Sequence, residues 1–214
     1  IDVVKNGVNR SLFVPVVKDL QLLNELGLQN KKIIGYIGTH GMAHKLDFIL
    51  QCAKGMEGRN NYHFLFLGSG AEKRNLLDLK EKLDLKNVTM LDPVSKLEVK
   101  RYISILDIAL INLRKSELFT TVIPSKIFEN AGMEIPILMG VNGEAREIIE
   151  SYHAGVCFEP ESETEFCEKL DLLLTDENLY NECKEGCKKL SLDFDRNLLA
   201  NKMLQIITQI NSEK

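Results

Sequence analysis

The chain has 214 residues, of which 44% are hydrophobic, and this length and composition fit one well-packed core. A net charge of −4 and an isoelectric point of about 5.7 exclude a general nucleic-acid-binding domain, which would carry a basic stripe. The sequence contains no run of about 18 apolar residues and therefore predicts no membrane-spanning helix. It opens without the pattern of a secretory signal, so we expect a cytoplasmic protein.

Five cysteines are scattered along the chain: Cys52, Cys157, Cys167, Cys183 and Cys187. An odd number without compact spacing indicates reduced thiols in the cytoplasm. Cys183 and Cys187 are four residues apart and could share a helix face, but no further paired ligand stands nearby, so we expect no metal site. The acidic D-x-D spacing occurs only at Asp193 and Asp195, which follow a helical region and not a strand.

Short apolar runs alternate with longer amphipathic segments along the chain. The apolar runs predict strands at residues 33–38, 62–67, 87–91, 107–113, 135–140 and 154–158. The amphipathic segments predict helices at residues 45–56, 71–83, 95–106, 124–131, 143–151, 163–174, 177–190 and 196–210. Ser95, with Glu98 three residues later, has the capping-box spacing at the start of one of these helices.

The predicted strands are nearly continuous apolar runs, which is typical of strands buried on both faces of a parallel sheet. Strands that alternate with helices in this way favour right-handed crossover connections. The predicted fold class is therefore α/β, a doubly wound parallel sheet of the Rossmann-like type. Such sheets bind ligands beyond the carboxyl ends of their strands, which directs attention to the turns that follow the strands.

Two glycine-rich turns follow the first two predicted strands. Gly38-Thr39-His40-Gly41 could bring backbone N–H groups close to a phosphate, although it lacks both the dinucleotide fingerprint and a P-loop lysine. An ordinary strand-to-helix turn explains it equally well. For Gly68-Ser69-Gly70 a helix-entry turn is the favoured interpretation. His40 and His44 flank the first turn, whereas His63 lies in an apolar strand and indicates a satisfied core or edge residue.

The segment Ile123–Gly132 carries the most informative pattern. Pro124 suits the first position of a helix, and the residue before it has no capping side chain, so the first-turn N–H groups are available to an outside anion. Ser125, Lys126 and Glu129 then lie close together on one helix. Lys126 would add a positive charge beside those N–H groups, and Glu129 could accept hydrogen bonds from a vicinal diol such as a ribose. The alternative is a solvated helix face.

The stretch P-S-K-I-F-E-N-A-G-M-E-I-P-I, which begins at Pro124, resembles the donor-site helix of glycosyltransferase family 4, a group of retaining enzymes with the GT-B fold. Other segments resemble the same family in the same order: residues 4–13, 34–46, 64–76, 87–94, 107–113 and 143–149. The similarity covers roughly residues 3–210. The stretches T-V-I-P-S-K-x-F-E and G-x-A-H resemble the branch that builds bacterial surface polysaccharides, including enzymes similar to the UDP-linked fucosamine transferases.

The resemblance implies a donor-binding set of Gly38, Thr39, His40, Gly41, His44, Pro93, Val94, Ser125, Lys126 and Glu129. Glu129 would bind the ribose hydroxyls and Lys126 would neutralise the diphosphate, which makes these two residues the catalytic candidates. Backbone N–H groups of Gly38 and Thr39 would face the diphosphate. The loop at residues 92–94 would contact the edge of the base through its backbone.

The chain departs from the family pattern at three positions. Thr121 stands where the family often has a Glu that contacts the donor sugar. Thr39 replaces an Arg that is common after the first glycine, and His44 replaces a Lys that usually follows. The candidates for neutralising the diphosphate are therefore Lys45, Arg114 and Lys126.

The resemblance implies that residues 1–214 form the nucleotide-sugar-binding domain of a GT-B enzyme, namely its C-terminal half, with closing helices at 163–211. An N-terminal acceptor domain would lie outside this chain. The reaction would transfer a sugar from a nucleoside diphosphate, with UDP expected, to a hydroxyl of a lipid-linked or glycan acceptor with retention. We expect no cofactor, no metal and no nucleic-acid partner. The whole protein would serve polysaccharide, O-antigen or capsule synthesis, with peripheral binding to the inner membrane face, and this chain alone would be inactive.

Three alternatives stay open. An epimerase or hydrolase of the same fold, acting on a UDP-N-acetylhexosamine, would show more carboxylates and histidines in its cleft. A non-catalytic nucleotide-sugar-binding module would fit the loss of Glu at Thr121. An unrelated doubly wound domain would bind neither UDP nor GDP.

The last predicted helix has an apolar stripe formed by Leu199, Met203, Ile206 and Ile207. In the whole protein this helix would cross back towards the second domain. We therefore expect the stripe to be partly exposed in this chain, where it would favour self-association.

Overall fold

The computed structural model of the protein describes residues 3–59 and 61–212, and the rest of the predicted 1–214 domain lies outside those ranges. Its centre is a sheet of six parallel strands. The strands are β1 Lys32–Ile37, β2 Tyr62–Leu67, β3 Val88–Leu91, β4 Ile108–Asn112, β5 Ile137–Gly140 and β6 Gly155–Cys157. Each lies within about two residues of its apolar run, as the period and length of such runs predict.

The strand order is β3-β2-β1-β4-β5-β6, which is that of the Rossmann-like doubly wound sheet. In the register, Gly35 of β1 stands beside Leu65 of β2 on one side and Ala109 of β4 on the other. The chain builds the sheet outward from β1 in one direction and from β4 in the other. A crevice therefore opens beyond the carboxyl ends of these two strands, where such sheets bind ligands. The predicted fold class is confirmed.

Nine α-helices and two short 3-10 turns lie before, between and after the strands within the described ranges. The helices are α1 Leu20–Glu25, α2 Leu46–Gly55, α3 Lys73–Lys82, α4 Val99–Ser104, α5 Lys126–Gly132, α6 Glu144–Tyr152, α7 Glu163–Thr175, α8 Glu177–Asp193 and α9 Arg196–Ser212. The 3-10 turns are Met42–His44 and Glu117–Phe119.

Successive strand residues pack on opposite faces of the sheet, as the two-residue period of a strand requires. Tyr36 of β1 belongs to the hydrophobic cluster on one face, and Ile33 belongs to a cluster on the other. Because both faces are covered, every residue of β2 is buried. His63 of this strand lies with its Nε2 2.8 Å from the Oγ1 of Thr89, and it is the satisfied core residue that the sequence predicts.

Two helices differ from the sequence expectation. The prediction omitted α1, a six-residue helix that begins after Asp19, whose carboxylate accepts a hydrogen bond from the N–H of Leu22. A helix this short has little periodicity, so the Asp19 cap is the signal available for it. The helix α4 begins at Val99 and not at Ser95. The N–H of Ser95 does donate to the Glu98 carboxylate, as the capping-box spacing predicts. The turn from Ser95 to Glu98 is, however, not α-helical.

The start of the chain pairs with the segment before α9. The N–H of Val8 donates to the carbonyl of Phe194, and the N–H of Arg196 donates to the carbonyl of Val8. Further along α9, Met203 is 54% exposed and Ile207 is 47% exposed, so the expectation of a partly exposed stripe is confirmed. In the part of the chain that the structure describes, no helix is both long and apolar enough to cross a membrane.

All five cysteines are free thiols. The Sγ of Cys187 donates to the carbonyls of Ile135 and Ala154, and burial raises the pKa of this thiol well above its usual range. This cysteine therefore belongs to the packing of α8 against the sheet. Over residues 3–59 and 61–212, no group of three or more His, Cys, Asp or Glu side chains is placed to hold a metal ion.

Candidate functional site

The first glycine turn lies at the carboxyl end of β1, in the crevice next to β4. Gly38 has a φ of +144°, which favours glycine, and its N–H donates to the carbonyl of Leu67 at 2.9 Å. The N–H of His40 donates to the carbonyl of Ser69 at 2.9 Å. These bonds hold the turn against the end of β2. The expectation that the Gly38 N–H faces a diphosphate is therefore wrong, because the adjacent strand already occupies it.

The second glycine turn packs directly against the first. A methyl group at Gly68 would lie 1.9 Å from the carbonyl oxygen of Gly38, and one at Gly70 would lie 2.5 Å from that of His40. Glycine therefore permits the direct approach of one backbone to the other. The turn leads into α3, as the helix-entry interpretation predicts, and it also supports the first turn.

Residues at the end of β4 hold the 3-10 turn Met42–His44. Asn112 is buried and donates from its Nδ2 to the carbonyl of His44 at 2.9 Å. The N–H of Arg114 donates to the carbonyl of Ala43 at 2.8 Å. The segment that follows the first glycine turn is thus fixed across the point where the strand order switches.

Lys126 reaches from the start of α5 into this crevice. Its Nζ lies 3.8 Å from the centroid of the Tyr36 ring, and a methyl group at Gly38 would lie 2.8 Å from it. The Nζ is buried, and no described residue serves as its hydrogen-bond partner. Burial lowers the pKa of Lys126 to about 7, against a smaller opposing effect of Glu129. A buried amine with unused donors at a glycine turn can receive an anionic group.

His40 is fully buried between the two glycine turns, and neither of its ring nitrogens has a partner in the described ranges. Burial, with smaller effects from the charges of Lys73 and Lys126, lowers the pKa of His40 to about 4. Burial and then the charge of Lys126 also lower the pKa of His44. The crevice therefore holds buried nitrogen groups whose hydrogen-bonding capacity is not used by the protein itself.

Glu129 is half-buried, three residues after Lys126 on α5. Burial raises the pKa of its carboxyl group, whereas the charges of Lys96, Arg196 and Lys126 lower it. These three cations come from the loop after β3, the start of α9 and α5. They favour the ionised carboxylate, which is the form that accepts hydrogen bonds from hydroxyl groups.

A groove of about 270 Å³ runs beside the first glycine turn. Its polar and turn residues come from three segments: Gly38, Thr39, Gly68, Ser69, Pro93 and Val94. Ile37 and Val99 add apolar side chains to the lining, which suits the face of a planar ring. The structure thus places the predicted phosphate turn and the predicted base-contact loop on one groove.

The family described as "Glycosyl transferases group 1" matches residues 20–190. The chain belongs to this glycosyltransferase family. The match runs from α1 into α8, so it includes both glycine turns, the loop after β3 and the whole of α5.

Over 140 residues the chain is 28% identical to the "Putative teichuronic acid biosynthesis glycosyltransferase TuaH" of Bacillus subtilis (strain 168), across 64% of this chain and 34% of that protein. The crystal structure of Anabaena Alr3699/HepE in complex with UDP-glucose has a TM-score of 0.84 at 15% identity, across 97% of this chain and 57% of that one. The C-terminal domain of the group 1 glycosyltransferase LpcC from Francisella tularensis has a TM-score of 0.70 at 18% identity, across 87% of this chain and 97% of that one. The chain is therefore much shorter than the first two relatives, and the structural likeness shows a shared fold.

In this glycosyltransferase chain, the three candidate cations lie in different surroundings. Lys45 pairs with Asp47 at 2.7 Å. Arg114 is exposed and lines a separate groove that also includes Asp47. The ammonium of Lys126, in contrast, lies at Gly38.

The beginning of α5 differs from the expectation of a fully free first turn. The N–H of Ile127 donates to the carbonyl of Pro124, and that of Phe128 donates to the carbonyl of Ser125. That expectation is wrong for these two amides, because bonds of the 3-10 type close the turn. Ser125 itself is exposed, as is Thr121.

Two residues at this site are not among those that the sequence predicts. Lys73 at the start of α3 donates from its Nζ to the carbonyls of Leu91 at 2.6 Å and Gly68 at 3.1 Å, which ties the second turn to the end of β3. Burial lowers the pKa of Lys73. Tyr36 has the sequence context of an ordinary core aromatic, and only the packing shows it beneath Lys126.

Proposed function

We propose that this protein binds the donor in glycosyl transfer from a nucleoside diphosphate sugar, with UDP as the nucleotide, to an acceptor hydroxyl. The observation that carries the proposal is the buried ammonium of Lys126, which lies at Gly38 with no hydrogen-bond partner in the described chain. A buried charge of this kind is unfavourable unless a counter-ion reaches it. A diphosphate would be that counter-ion. The UDP-glucose in the Anabaena structure supports the choice of nucleotide.

The diphosphate would lie against the first glycine turn, beside the Lys126 ammonium that packs on Gly38. The N–H groups of Thr39 and Gly41, which have no acceptor within residues 3–59 and 61–212, would donate to phosphate oxygens. His40 and His44 would each add one ring N–H donor, because their lowered pKa values keep both rings neutral near pH 7 and a neutral imidazole carries one N–H.

The nucleoside would occupy the groove beside that turn. Pro93 and Val94 line the groove and would contact the edge of uracil through their backbone. Glu129, three residues along α5 from Lys126, would accept hydrogen bonds from the ribose hydroxyls. Ser125 would contact the outer side of the diphosphate from its exposed position.

Departure of the leaving group is the difficult step of such a transfer. Negative charge collects on the diphosphate as the bond between the anomeric carbon and the phosphate oxygen breaks. Lys126 and the turn N–H groups would stabilise this charge from positions that are already fixed, so no metal would be required. The acceptor oxygen would bond to the anomeric carbon on the same face, and its proton would leave with the diphosphate. The resemblance to retaining enzymes supports this stereochemistry.

The proposed enzyme has two domains, of which this chain is the donor-binding one. This chain covers 57% of the Anabaena structure and 97% of the LpcC C-terminal domain, and these shares support the division into two domains. The second domain would bind a glycan or lipid-linked acceptor, and this chain alone would not transfer sugar. The name of the TuaH relative supports a role in building a bacterial polysaccharide, which would bring the whole protein to the inner membrane face.

Chemical-shift mapping with UDP, GDP and ADP tests the proposal. Shifts selective for UDP are expected at residues 38–41, 93–94 and 125–129. Lys126→Ala is expected to weaken UDP binding about tenfold or more, because a charge-assisted contact is lost. Lys54→Ala, which removes an ammonium paired with Glu57 at 2.7 Å, is the matched control and should leave binding unchanged. GDP-selective shifts would change the nucleotide and keep the site, and an unchanged affinity of Lys126→Ala would remove Lys126 from it.

One observation favours a second candidate, a nucleotide-sugar-binding module without transfer activity. Thr121, at the position where the family often has a sugar-contacting Glu, is exposed and carries no charge. The module and the enzyme would bind UDP alike. Incubation of the whole protein with a UDP-sugar and a glycan acceptor distinguishes them, since a glycosylated product excludes the module.

A further inference from the structure

Tyr36 is a buried residue of β1, two positions before Gly38. Its ring centroid lies 5.7 Å from that of His44, 5.9 Å from that of His40 and 6.2 Å from that of Phe66. Burial raises the pKa of its phenol, so the hydroxyl stays protonated and acts as a donor. The side chain therefore stands between the hydrophobic core and the residues that surround the proposed diphosphate site.

The ammonium of Lys126 lies over the face of the Tyr36 ring. The Nζ lies 3.8 Å from the ring centroid, well inside the range of about 6 Å for a cation–π contact. No acceptor from the described residues reaches this Nζ, so the electron-rich ring face compensates for part of its lost hydration. A ring face attracts the ammonium without occupying all of its N–H donors, which leaves donors available to an anion.

The hydroxyl of Tyr36 fixes the backbone of the first glycine turn. It donates to the carbonyl of Thr39 at 2.8 Å. The same peptide unit contributes the N–H of His40, which donates to the carbonyl of Ser69. The orientation of this peptide is thus set from both sides, and it determines where the neighbouring N–H groups point.

We propose that Tyr36 is a positioning residue of the donor site, whose ring holds the Lys126 ammonium and whose hydroxyl holds the Thr39 carbonyl where a diphosphate binds. The inference rests on the proposed function, because it gives Tyr36 the task of preparing that site. A core aromatic with no such task would contribute to stability alone. Its loss would then affect UDP binding equally whether or not Lys126 is present.

A double-mutant cycle separates positioning from packing. The affinity for UDP is measured by calorimetry for the wild-type protein, Tyr36→Leu, Lys126→Met and the double variant. When Lys126 is present, Tyr36→Leu is expected to weaken UDP binding about three- to tenfold, as a cation–π contact of this kind contributes. In the Lys126→Met background the same change is expected to cost only the smaller share of affinity that depends on the Thr39 contact, because the ring then has no ammonium to hold.

Two further variants complete the design. Tyr36→Phe keeps the ring and removes the hydroxyl, so it is expected to retain the coupling to Lys126 and to lose only the share of affinity that depends on the Thr39 contact. Phe64→Leu is the matched control for a cavity in the core, since Phe64 is fully buried on β2 and its ring stacks on that of Phe166 at 6.3 Å. It is expected to lower the midpoint of thermal unfolding and to leave UDP affinity unchanged.

A spectroscopic measurement covers the case in which Tyr36→Leu does not fold. The ε-methylene group of Lys126 is bonded to the Nζ that lies 3.8 Å from the centroid of the Tyr36 ring, so its protons are expected to show an upfield ring-current shift in the wild-type protein and in Tyr36→Phe. Lys126 resonances at ordinary positions in both proteins would overturn the proposal.

Equal losses of UDP affinity for Tyr36→Leu with and without Lys126 would also overturn it, as would full affinity in Tyr36→Leu. If in those cases the wild-type protein binds UDP and Lys126→Met binds it more weakly, the proposed function stands. A wild-type protein that binds none of UDP, GDP and ADP gives a different result, because the proposed function and the role of Tyr36 then fall together.

Discussion

A methyl group at Gly68 would lie 1.9 Å from the carbonyl oxygen of Gly38, so the two glycine turns of the site support each other by direct backbone contact. Gly68→Ala is therefore expected to lower the free energy of unfolding by about 1–3 kcal/mol, as overpacked sites do. It is also expected to weaken UDP binding, because the first turn must move. Urea unfolding followed by circular dichroism measures the stability, and calorimetry measures the affinity.

Gly27→Ala is the matched control for this change. Gly27 has a positive φ of +66°, as Gly68 has one of +146°, but a methyl group at Gly27 meets nothing within 4 Å. Its replacement is expected to cost about 1 kcal/mol for the left-handed conformation and to leave UDP affinity unchanged. If Gly68→Ala and Gly27→Ala lost the same stability, backbone contact would not be the reason for glycine at the second turn.

The strand β2 shows why the sheet can be predicted from the sequence. Tyr62–Leu67 is apolar apart from His63, and every residue of it is buried, because helices cover both faces of the sheet. The position of the site follows by the same argument. The carboxyl ends of parallel strands share one edge, so the turns after β1, β2 and β3 meet there.

The partnerships of individual side chains could not be predicted in the same way. Lys126 is equally compatible in sequence with a solvated helix face, and Tyr36 with an ordinary core position. Their contact depends on how α5 packs against β4 and β5, which no local pattern specifies. The sequence overestimates the free amides of α5, because Pro124 fixes only its own backbone and the N–H of Ile127 donates to the Pro124 carbonyl, which closes the turn.

The half-buried carboxylate of Glu129 predicts a preference for ribose over deoxyribose. The wild-type protein is expected to bind UDP more tightly than 2′-deoxy-UDP, and Glu129→Gln is expected to lose most of this difference. The variant should also bind UDP about tenfold more weakly, because hydrogen bonds to a charged acceptor contribute about 1.5–3 kcal/mol. Calorimetric dissociation constants for the two nucleotides measure both effects.

Glu150→Gln is the control for the charge change, since Glu150 lies on α6 and pairs with Arg146 at 2.7 Å. It is expected to bind both nucleotides like the wild-type protein. Equal wild-type affinities for UDP and 2′-deoxy-UDP would show that Glu129 does not bind the 2′-hydroxyl.

The buried ammonium of Lys126 predicts that UDP binding weakens at alkaline pH. Burial lowers its pKa in the free protein to about 7, and the charged form is the one that attracts a diphosphate. As the pH rises above the pKa, more of the protein must take up a proton in order to bind. The affinity is therefore expected to fall, towards about tenfold for each pH unit. Titrations from about pH 7.5 to 8.5 keep the terminal phosphate of UDP ionised, since its pKa is about 6, and leave the uracil N3–H protonated.

The variant Lys126→Met is expected to give a flat profile across that interval. Burial also lowers the pKa values of His40 and His44, so the titration of these rings lies below the interval and does not contribute. Parallel profiles of the wild-type protein and Lys126→Met would assign the pH dependence to another group.

The exposed stripe of α9 predicts that this chain associates with itself as its concentration rises. Met203 and Ile207 are 54% and 47% exposed and lie about one helical turn apart. Their burial between two copies would contribute about 25 cal/mol for each Å² of apolar surface. The double change Met203→Lys and Ile207→Lys is expected to shift sedimentation equilibrium to the monomer without lowering the midpoint of thermal unfolding, because neither side chain packs in the core. Val17→Lys changes a residue that is 89% exposed near the start of the chain and should leave association as it is. A double variant that associates like the wild-type protein would exclude α9 as the contact.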